Sequence, residues 1–166
     1  MIRRPVRGFT LLEAMIALAI VAMLLLIAVP SFNSIRVSAT LTELSNELVA
    51  SVQLARSEAI KRNRVARLCA SDDGATCSPT WGGFSTGWVV LDAENNLLLS
   101  RPAVESGYRI KTSGGLRILT FYPSGMDATT VSFTVCRYDP LERQQRVIAV
   151  GPTGGTRVTR TEVSSC

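Results

Sequence analysis

The stretch Gly8-Phe9-Thr10-Leu11-Leu12-Glu13 opens an apolar run that extends from Phe9 to Val29. As a helix with a rise of about 1.5 Å per residue, this run would span about 31 Å, which matches a hydrocarbon core of about 30 Å. We therefore predict a transmembrane helix over residues 9–29. Glu13 is the only charged residue in the run. Because a lone carboxylate in hydrocarbon costs about 2.5 to 3.5 kcal/mol, we expect Glu13 to have a functional role.

The residues ahead of the run are basic. Arg3, Arg4 and Arg7 precede Gly8, and such an excess of positive charge is typical of the cytoplasmic side of a membrane helix. The remainder of the chain is then expected to be exported. An ordinary secretory signal has an apolar region of about 7 to 15 residues followed by a small-residue cleavage site. This run is longer and continues into Pro30, which argues against such a signal.

Cysteine usage agrees with export. All four cysteines follow the apolar run, and in an oxidising compartment such as the periplasm they fit two disulfides. Three pairings are possible, and we favour Cys69 with Cys77 and Cys136 with Cys166, because each joins neighbours in sequence and the second would hold a chain end. A zinc site is the less favoured reading, since the chain has no histidine and no Cys-x-x-Cys pair.

The helix is predicted to continue past Pro30, which should kink it because proline removes one helical hydrogen bond. An apolar stripe with three- and four-residue steps supports this continuation. Its members are Val37, Leu41, Leu44, Leu48, Val52, Ala55 and Ala59. The helix should end near Arg62 and Asn63, where cations suit the helix dipole and asparagine suits a terminating position. Residues 30–63 are thus predicted to be an amphipathic periplasmic half of the helix.

Residues 64–166 have the pattern of a β-sheet domain, with short β-type runs divided by turn residues. Helix first and strands afterwards predict an α+β fold in which an antiparallel sheet covers the helix stripe. A loop rich in Gly, Asp, Thr and Ser is predicted over residues 71–83 and would be closed by Cys69 and Cys77. The predicted strands are residues 65–70, 87–92, 97–101, 109–112, 116–122, 131–136, 146–150 and 157–161.

The opening stretch, residues 8–13, resembles the processing site of type IV pilins and of type II secretion pseudopilins. The resemblance implies that a prepilin peptidase removes residues 1–8 by cutting after Gly8, and that Phe9 is then N-methylated. Glu13 becomes the fifth residue of the product, where this family has a glutamate. A helix N-terminus with its free amine can neutralise the carboxylate of a neighbouring subunit in a filament. We therefore interpret Glu13 as an assembly residue.

Other segments resemble the GspH/FimT group of minor pilins and pseudopilins, which includes FimU-type proteins. They are residues 55–63, 68–69, 87–90, 119–125 and 133–136. The resemblance implies a pilin-like protein that takes part in priming pilus assembly and lies at or near the tip. Its implied partners are other minor pilins, the major pilin, the prepilin peptidase and the inner membrane. A GspH-like pseudopilin of type II secretion would share every membrane feature and is an alternative. Residues 92–96 depart from the group's usual turn sequence and leave that hairpin unassigned.

A second alternative is a pilus-associated DNA receptor, since some FimT-type members resemble such receptors and have an arginine-bearing segment near the C-terminus. Here Arg157 and Arg160 are the candidate DNA contacts, in a segment that is shifted and interrupted relative to that pattern. On a regular strand these two side chains point to opposite faces, so two solvated arginines are the favoured interpretation. Tyr138 and Trp81 are the loop aromatics available for stacking on bases. The net charge of +5 includes the three leader arginines and adds little support.

Enzyme chemistry finds no support in the sequence. The absence of histidine excludes nucleophilic catalysis with a His base, and no glycine loop has the lysine and the strand-to-helix context of a phosphate site. Asp72 and Asp73 are adjacent carboxylates, but in a Gly/Ser/Thr loop such residues usually form turns. We expect a protein that is not an enzyme and that has no cofactor and no metal.

Overall fold

A computed structural model describes residues 9–78, 83–124, 130–139, 141–162 and 166, without the side chains of residues 26–31, 33 and 141–143. The predicted leader with Gly8, and Trp81, lie outside the described residues. The chain divides into two compact units, Met1–Val37 and Ser38–Cys166.

Helix α1 comprises Leu11–Arg62 and continues through Pro30, as predicted. The kink expected at Pro30 remains a prediction. The helix ends where Asn63 takes a left-handed φ of 52° and the Arg64 N–H donates to the Ala59 carbonyl at 3.2 Å. This C-terminal stop confirms the role expected of Asn63.

Within the described part of the chain, no helix is both long and apolar enough to cross a membrane. The predicted span over residues 9–29 ends among residues 26–31, whose side chains are not described.

The apolar stripe of the helix is covered. Leu44 is half-buried, and the other six predicted members are buried. Ser45 and Ser51 are buried beside them, and each hydroxyl donates to a helix carbonyl one turn earlier, at 2.6 and 2.8 Å. These bonds let polar side chains lie on a covered face because no hydroxyl is left without a partner.

All eight predicted strands are present. They are β1 (Ala66–Ala70), β2 (Trp88–Leu91), β3 (Leu97–Arg101), β4 (Tyr108–Thr112), β5 (Ile118–Phe121), β6 (Val131–Tyr138), β7 (Leu141–Val150) and β8 (Thr156–Glu162). The largest difference is at β7, which begins at Leu141 instead of residue 146. Tyr138 still pairs with Leu141, so the β6–β7 hairpin continues almost to its turn.

The strands form two sheets where one was predicted. The first has the order β3-β2-β1-β5 and the second β4-β6-β7-β8, and every pairing is antiparallel. Both sheets bind the segment of α1 in the second unit: Trp88 of β2 donates to Ser51, and Arg146 of β7 donates to Ser38. The α+β class and the packing of the helix on antiparallel sheet are confirmed. The prediction of a single sheet was wrong, because β5 pairs with β1 in the first sheet and β4 pairs with β6 in the second.

The carboxylate of Asp92 organises the β2–β3 turn that the sequence left unassigned. It accepts the backbone N–H of Glu94 at 3.0 Å, the backbone N–H of Asn96 at 2.8 Å and the Asn96 side chain at 2.9 Å. Arg62 at the helix end lies 3.5 Å from its Oδ2. Hydrogen bonds from Asn96 and the charge of Arg62 lower the pKa of Asp92, so the turn and the helix end share an ionised carboxylate.

We predict that Ser51→Ala destabilises the protein by about 1–3 kcal/mol, because the buried indole N–H of Trp88 loses its acceptor at 2.9 Å. Denaturant unfolding followed by tryptophan fluorescence measures this change. Ser57→Ala is the matched control, since Ser57 is exposed on the same helix and, among the described residues, its hydroxyl donates only to the Leu54 carbonyl. Equal stability of the two variants would contradict the prediction.

Candidate functional site

The first turn of α1 is fixed by Thr10. Its Oγ1 accepts the backbone N–H of Glu13 at 3.3 Å, and its carbonyl accepts the N–H of Ala14 at 3.1 Å. A threonine followed three residues later by glutamate is the sequence signature of a capping box, so Thr10 could have been identified from the sequence and was overlooked. The cap places Glu13 in the first helical turn, where the helix dipole favours a negative charge.

The helix around Glu13 exposes large apolar side chains. Phe9 is 83% exposed and Leu11 is 79% exposed, and the other large apolar side chains of residues 9–25 are exposed as well. The other exposed members of the run are Leu12, Met15, Ile16, Leu18, Ile20, Val21, Met23, Leu24 and Leu25. Soluble monomers rarely expose a contiguous apolar patch of this kind, which marks a surface that lipid or another protein covers.

Both predicted disulfides are present. Cys69 and Cys77 are joined with their Cα atoms 5.4 Å apart, and Cys136 and Cys166 with theirs 5.9 Å apart. Cys136 lies in β6, so the second bond ties residue 166 to the middle of the second sheet. The bond closes a segment of sequence separation 30 that contains β7 and β8.

The first disulfide holds a loop against the face of the first sheet that points away from α1. Cys69, Val89 and Leu91 form a small buried cluster there, and Cys77 packs against it. In the loop itself, Asp73 accepts the N–H groups of Ala75 and Thr76, both at 2.8 Å. The disulfide and the Asp73 turn therefore define one local structural unit.

Asp72 and Asp73 are turn residues, as predicted. Hydrogen bonds from Ser78 and Thr86 lower the pKa of Asp72, and those from Thr76, Ala75 and Ser71 lower the pKa of Asp73. A general acid at neutral pH needs a raised pKa, so neither carboxyl is suited to that role. Within the described ranges, no three His, Cys, Asp or Glu side chains are grouped to hold a metal.

The arginines of β8 point to opposite faces of the second sheet. Arg157 pairs with Ala149 and Arg160 with Arg146 in a register without a bulge. Since side chains alternate along a strand, Arg160 lies on the face of Arg146, which bonds to α1, and Arg157 lies on the other face. Both arginines are exposed, and the structure does not bring them together.

Two glycines lie where the surrounding atoms leave no room for a side chain. Gly87, before Trp88, has φ +120°, and a Cβ there would lie 2.7 Å from the Arg101 carbonyl oxygen. Gly154 has φ +71°, and its Cβ would lie 2.6 Å from Arg56 Cδ. Contacts this short require shifts of the neighbouring atoms, so these positions are restricted by packing.

Two protein families match this chain, one over its N-terminal segment and one over most of the helix-and-sheet domain. The sequence model of the prokaryotic N-terminal methylation motif matches residues 3–29, and that of the type II transport protein GspH matches residues 44–154. No match was found among curated protein sequences.

Solved structures show the same fold at low identity. Two crystal structures of the type IV minor pilin FimU of Pseudomonas aeruginosa align with TM-scores of 0.58 and 0.59 at 22% and 21% identity, covering 76% of this chain and 94% and 99% of theirs. The minor pseudopilin EpsH from the type 2 secretion system of Vibrio cholerae aligns with a TM-score of 0.54 at 12% identity, covering 72% of this chain and 95% of its own. Because the GspH match covers more than half of the sequence and the methylation motif precedes it, the chain belongs to the family of the type II transport protein GspH.

Proposed function

We propose that the protein is a FimU-like minor type IV pilin that takes part in priming pilus assembly and lies at or near the pilus tip. The observation that carries this proposal is the first part of α1, in which exposed apolar side chains surround Glu13 in the first turn. Such a helix needs an apolar environment that contains a positive charge. Packed N-terminal helices of a filament would supply both.

The protein would first be a precursor in the inner membrane, with residues 9–29 as its single membrane span and the sheet domain in the periplasm. A prepilin peptidase would cut after Gly8 and expose the amine of Phe9, which is then methylated. The methylation-motif match over residues 3–29 supports this processing. The two disulfides support an oxidising compartment for the sheet domain.

Within the assembly, the Glu13 carboxylate would bind the N-terminal amine of a neighbouring subunit. An ion pair in a low-dielectric environment is strong, and its absence would leave a costly isolated charge. The pair would therefore fix the axial register between neighbouring helices. Other minor pilins and the major pilin are the proposed neighbours, and the two sheets are the surfaces presented to them.

A type II secretion pseudopilin is the alternative that the GspH match favours. It would use the same leader, the same Glu13 and the same disulfides. Co-purification separates the two functions, because a pilin co-purifies with other pilus subunits and a pseudopilin with subunits of the secretion system.

We predict that Glu13→Ala is processed and inserted into the membrane as wild type is, but is lost from sheared pili by at least about tenfold, because the ion pair is missing. Immunoblots of membrane and pilus fractions measure both quantities. Glu43→Ala is the matched control, since Glu43 is an exposed carboxylate later in the same helix. Normal amounts of the Glu13 variant in pili would contradict the assembly role proposed for Glu13.

Processing has its own test. Intact-mass measurement of the protein purified from membranes should show the loss of residues 1–8 and the gain of one methyl group at Phe9. Cells without the prepilin peptidase should contain the full precursor. A chain that keeps its leader in wild-type cells would reject the processing step.

DNA binding, the remaining alternative, is tested through Arg157 and Arg160. A receptor that uses both arginines loses salt-dependent affinity when they are neutralised. Because the two side chains lie on opposite faces, we predict that Arg157→Gln combined with Arg160→Gln leaves any gel shift of the full-length protein in detergent unchanged. A large loss of DNA affinity, with a shallower salt dependence, would support the receptor instead.

A further inference from the structure

Arg146 of β7 is a nearly buried cation on the helix-facing side of the second sheet. The residue is only 8% exposed. Its guanidinium donates to Ser38 Oγ at 3.1 Å, to Thr42 Oγ1 at 3.4 Å and to the Gln145 carbonyl at 3.5 Å. All three acceptors are neutral, so the charge itself is not compensated by these bonds.

No carboxylate neutralises this charge within the described part of the chain. The ion pairs there involve other residues, and no Asp or Glu oxygen lies within 4.0 Å of Arg146 or of Arg160. Glu162 shares their face of the sheet and forms no ion pair with either. A buried charge without a partner is costly and is rare in folded proteins.

A second cation increases this cost. Arg160 of β8 is paired directly with Arg146, and its side chain lies on the same face. Cross-strand partners have Cα atoms only about 4.5–5.5 Å apart, and like charges in such pairs repel. Burial lowers the pKa of Arg146, and the charge of Arg160 lowers it further. Two arginines of neighbouring strands and two hydroxyls therefore lie on one face of the second sheet, and no described carboxylate lies within ion-pair distance of either arginine.

We propose that Arg146, Arg160, Ser38 and Thr42 form a receptor for a carboxylate side chain of a neighbouring pilin subunit. The inference rests on the proposed function, because the neighbour is present only in an assembly. A carboxylate would satisfy the nearly buried guanidinium through charge-assisted hydrogen bonds and would relieve its repulsion with Arg160.

The position of the receptor favours a protein segment as the occupant. Strand β8 is an edge of its sheet, and its residues are exposed or half-exposed from Thr156 to Glu162. A neighbouring subunit can approach this edge and place an acidic side chain beside Arg160, while Arg146 fixes it from within. DNA is disfavoured as the occupant because Arg157, the other exposed arginine of β8, points away from the receptor.

The first arm of the test compares three variants of the full-length protein in piliated cells. Arg146→Met and Arg160→Gln should each lower the amount in sheared pili by at least about tenfold, because truncating one partner of a buried charge pair is costly. Arg157→Gln is the matched control on the opposite face of the same strand and should assemble as wild type does.

Thermal unfolding of the purified full-length proteins separates assembly from folding. Arg146→Met should unfold at the same temperature as wild type or a few degrees higher, because it removes an uncompensated buried cation. A midpoint lowered by more than about 5 °C would identify Arg146 as a structural residue and overturn the proposal.

The second arm identifies the occupant in intact pili. Arg160→Lys provides an amine that a carbodiimide can couple to a carboxylate in direct contact, and Arg157→Lys is the control. The expected product joins position 160 to an Asp or Glu of another pilus subunit, as identified by mass spectrometry. Coupling only within this chain, coupling to a lipid or to DNA, or coupling no stronger than in the control would overturn the proposal.

The outcomes also distinguish this inference from the proposed function. If wild type is present in pili and all three variants assemble equally, the carboxylate receptor is wrong and the minor-pilin function stands. If wild type is absent from pili, the proposed function fails and the receptor fails with it.

Discussion

The structure depends on one helix that meets two different surroundings along its length. Between Ser38 and Arg62 the apolar stripe of α1 is covered by two sheets, and the bond from Trp88 to Ser51 lies inside that covered region. Between Leu11 and Leu25 the helix has large apolar side chains on all sides, with Glu13 among them, and they are exposed. An apolar stripe on one side of a helix is buried when one layer packs against it, and here the two sheets form that layer. A helix that is apolar on all sides can be buried only when lipid or other helices surround it.

Much of this organisation follows from local patterns in the sequence. The steps from Leu41 to Ala59 predicted which face of the helix would be buried, and β-rich runs between turn residues predicted all eight strands. The disulfides were predicted because each pairs neighbours in sequence. What failed is non-local: no pattern within β4 or β5 specifies which strand becomes its partner, so the division into two sheets was missed. The capping box of Thr10 is also a local pattern, so the sequence alone is sufficient to predict it.

Local sequence patterns also predict only part of the candidate site. Glu13 stands out in the sequence because a charge in an apolar run is rare, and its expected role came from its neighbours at Gly8 and Phe9. Arg146 has no such signal, since an arginine in a β-strand of mixed composition is unremarkable as sequence. Its importance emerges only when β7 lies against Ser38 and β8 places Arg160 opposite it. In the proposals above, both residues are charges that a neighbouring subunit would compensate, one in the apolar helix and one in β7, the strand next to the edge of its sheet.

The Cys69–Cys77 loop is a part of the surface whose sequence can change with little effect on the strands of the first sheet. Its cluster with Val89 and Leu91 lies on the far side of the first sheet from α1, and its turn is held by its own Asp73. The loop is thus held by its own turn, by the disulfide and by Ser100 of β3, whose hydroxyl donates to the Gly74 carbonyl at 2.8 Å. Insertions or substitutions between the two cysteines would be absorbed locally, because the covalent closure and the cluster stay in place. A loop closed in this way allows the outer surface of the domain to change while the first sheet keeps its strand pairing.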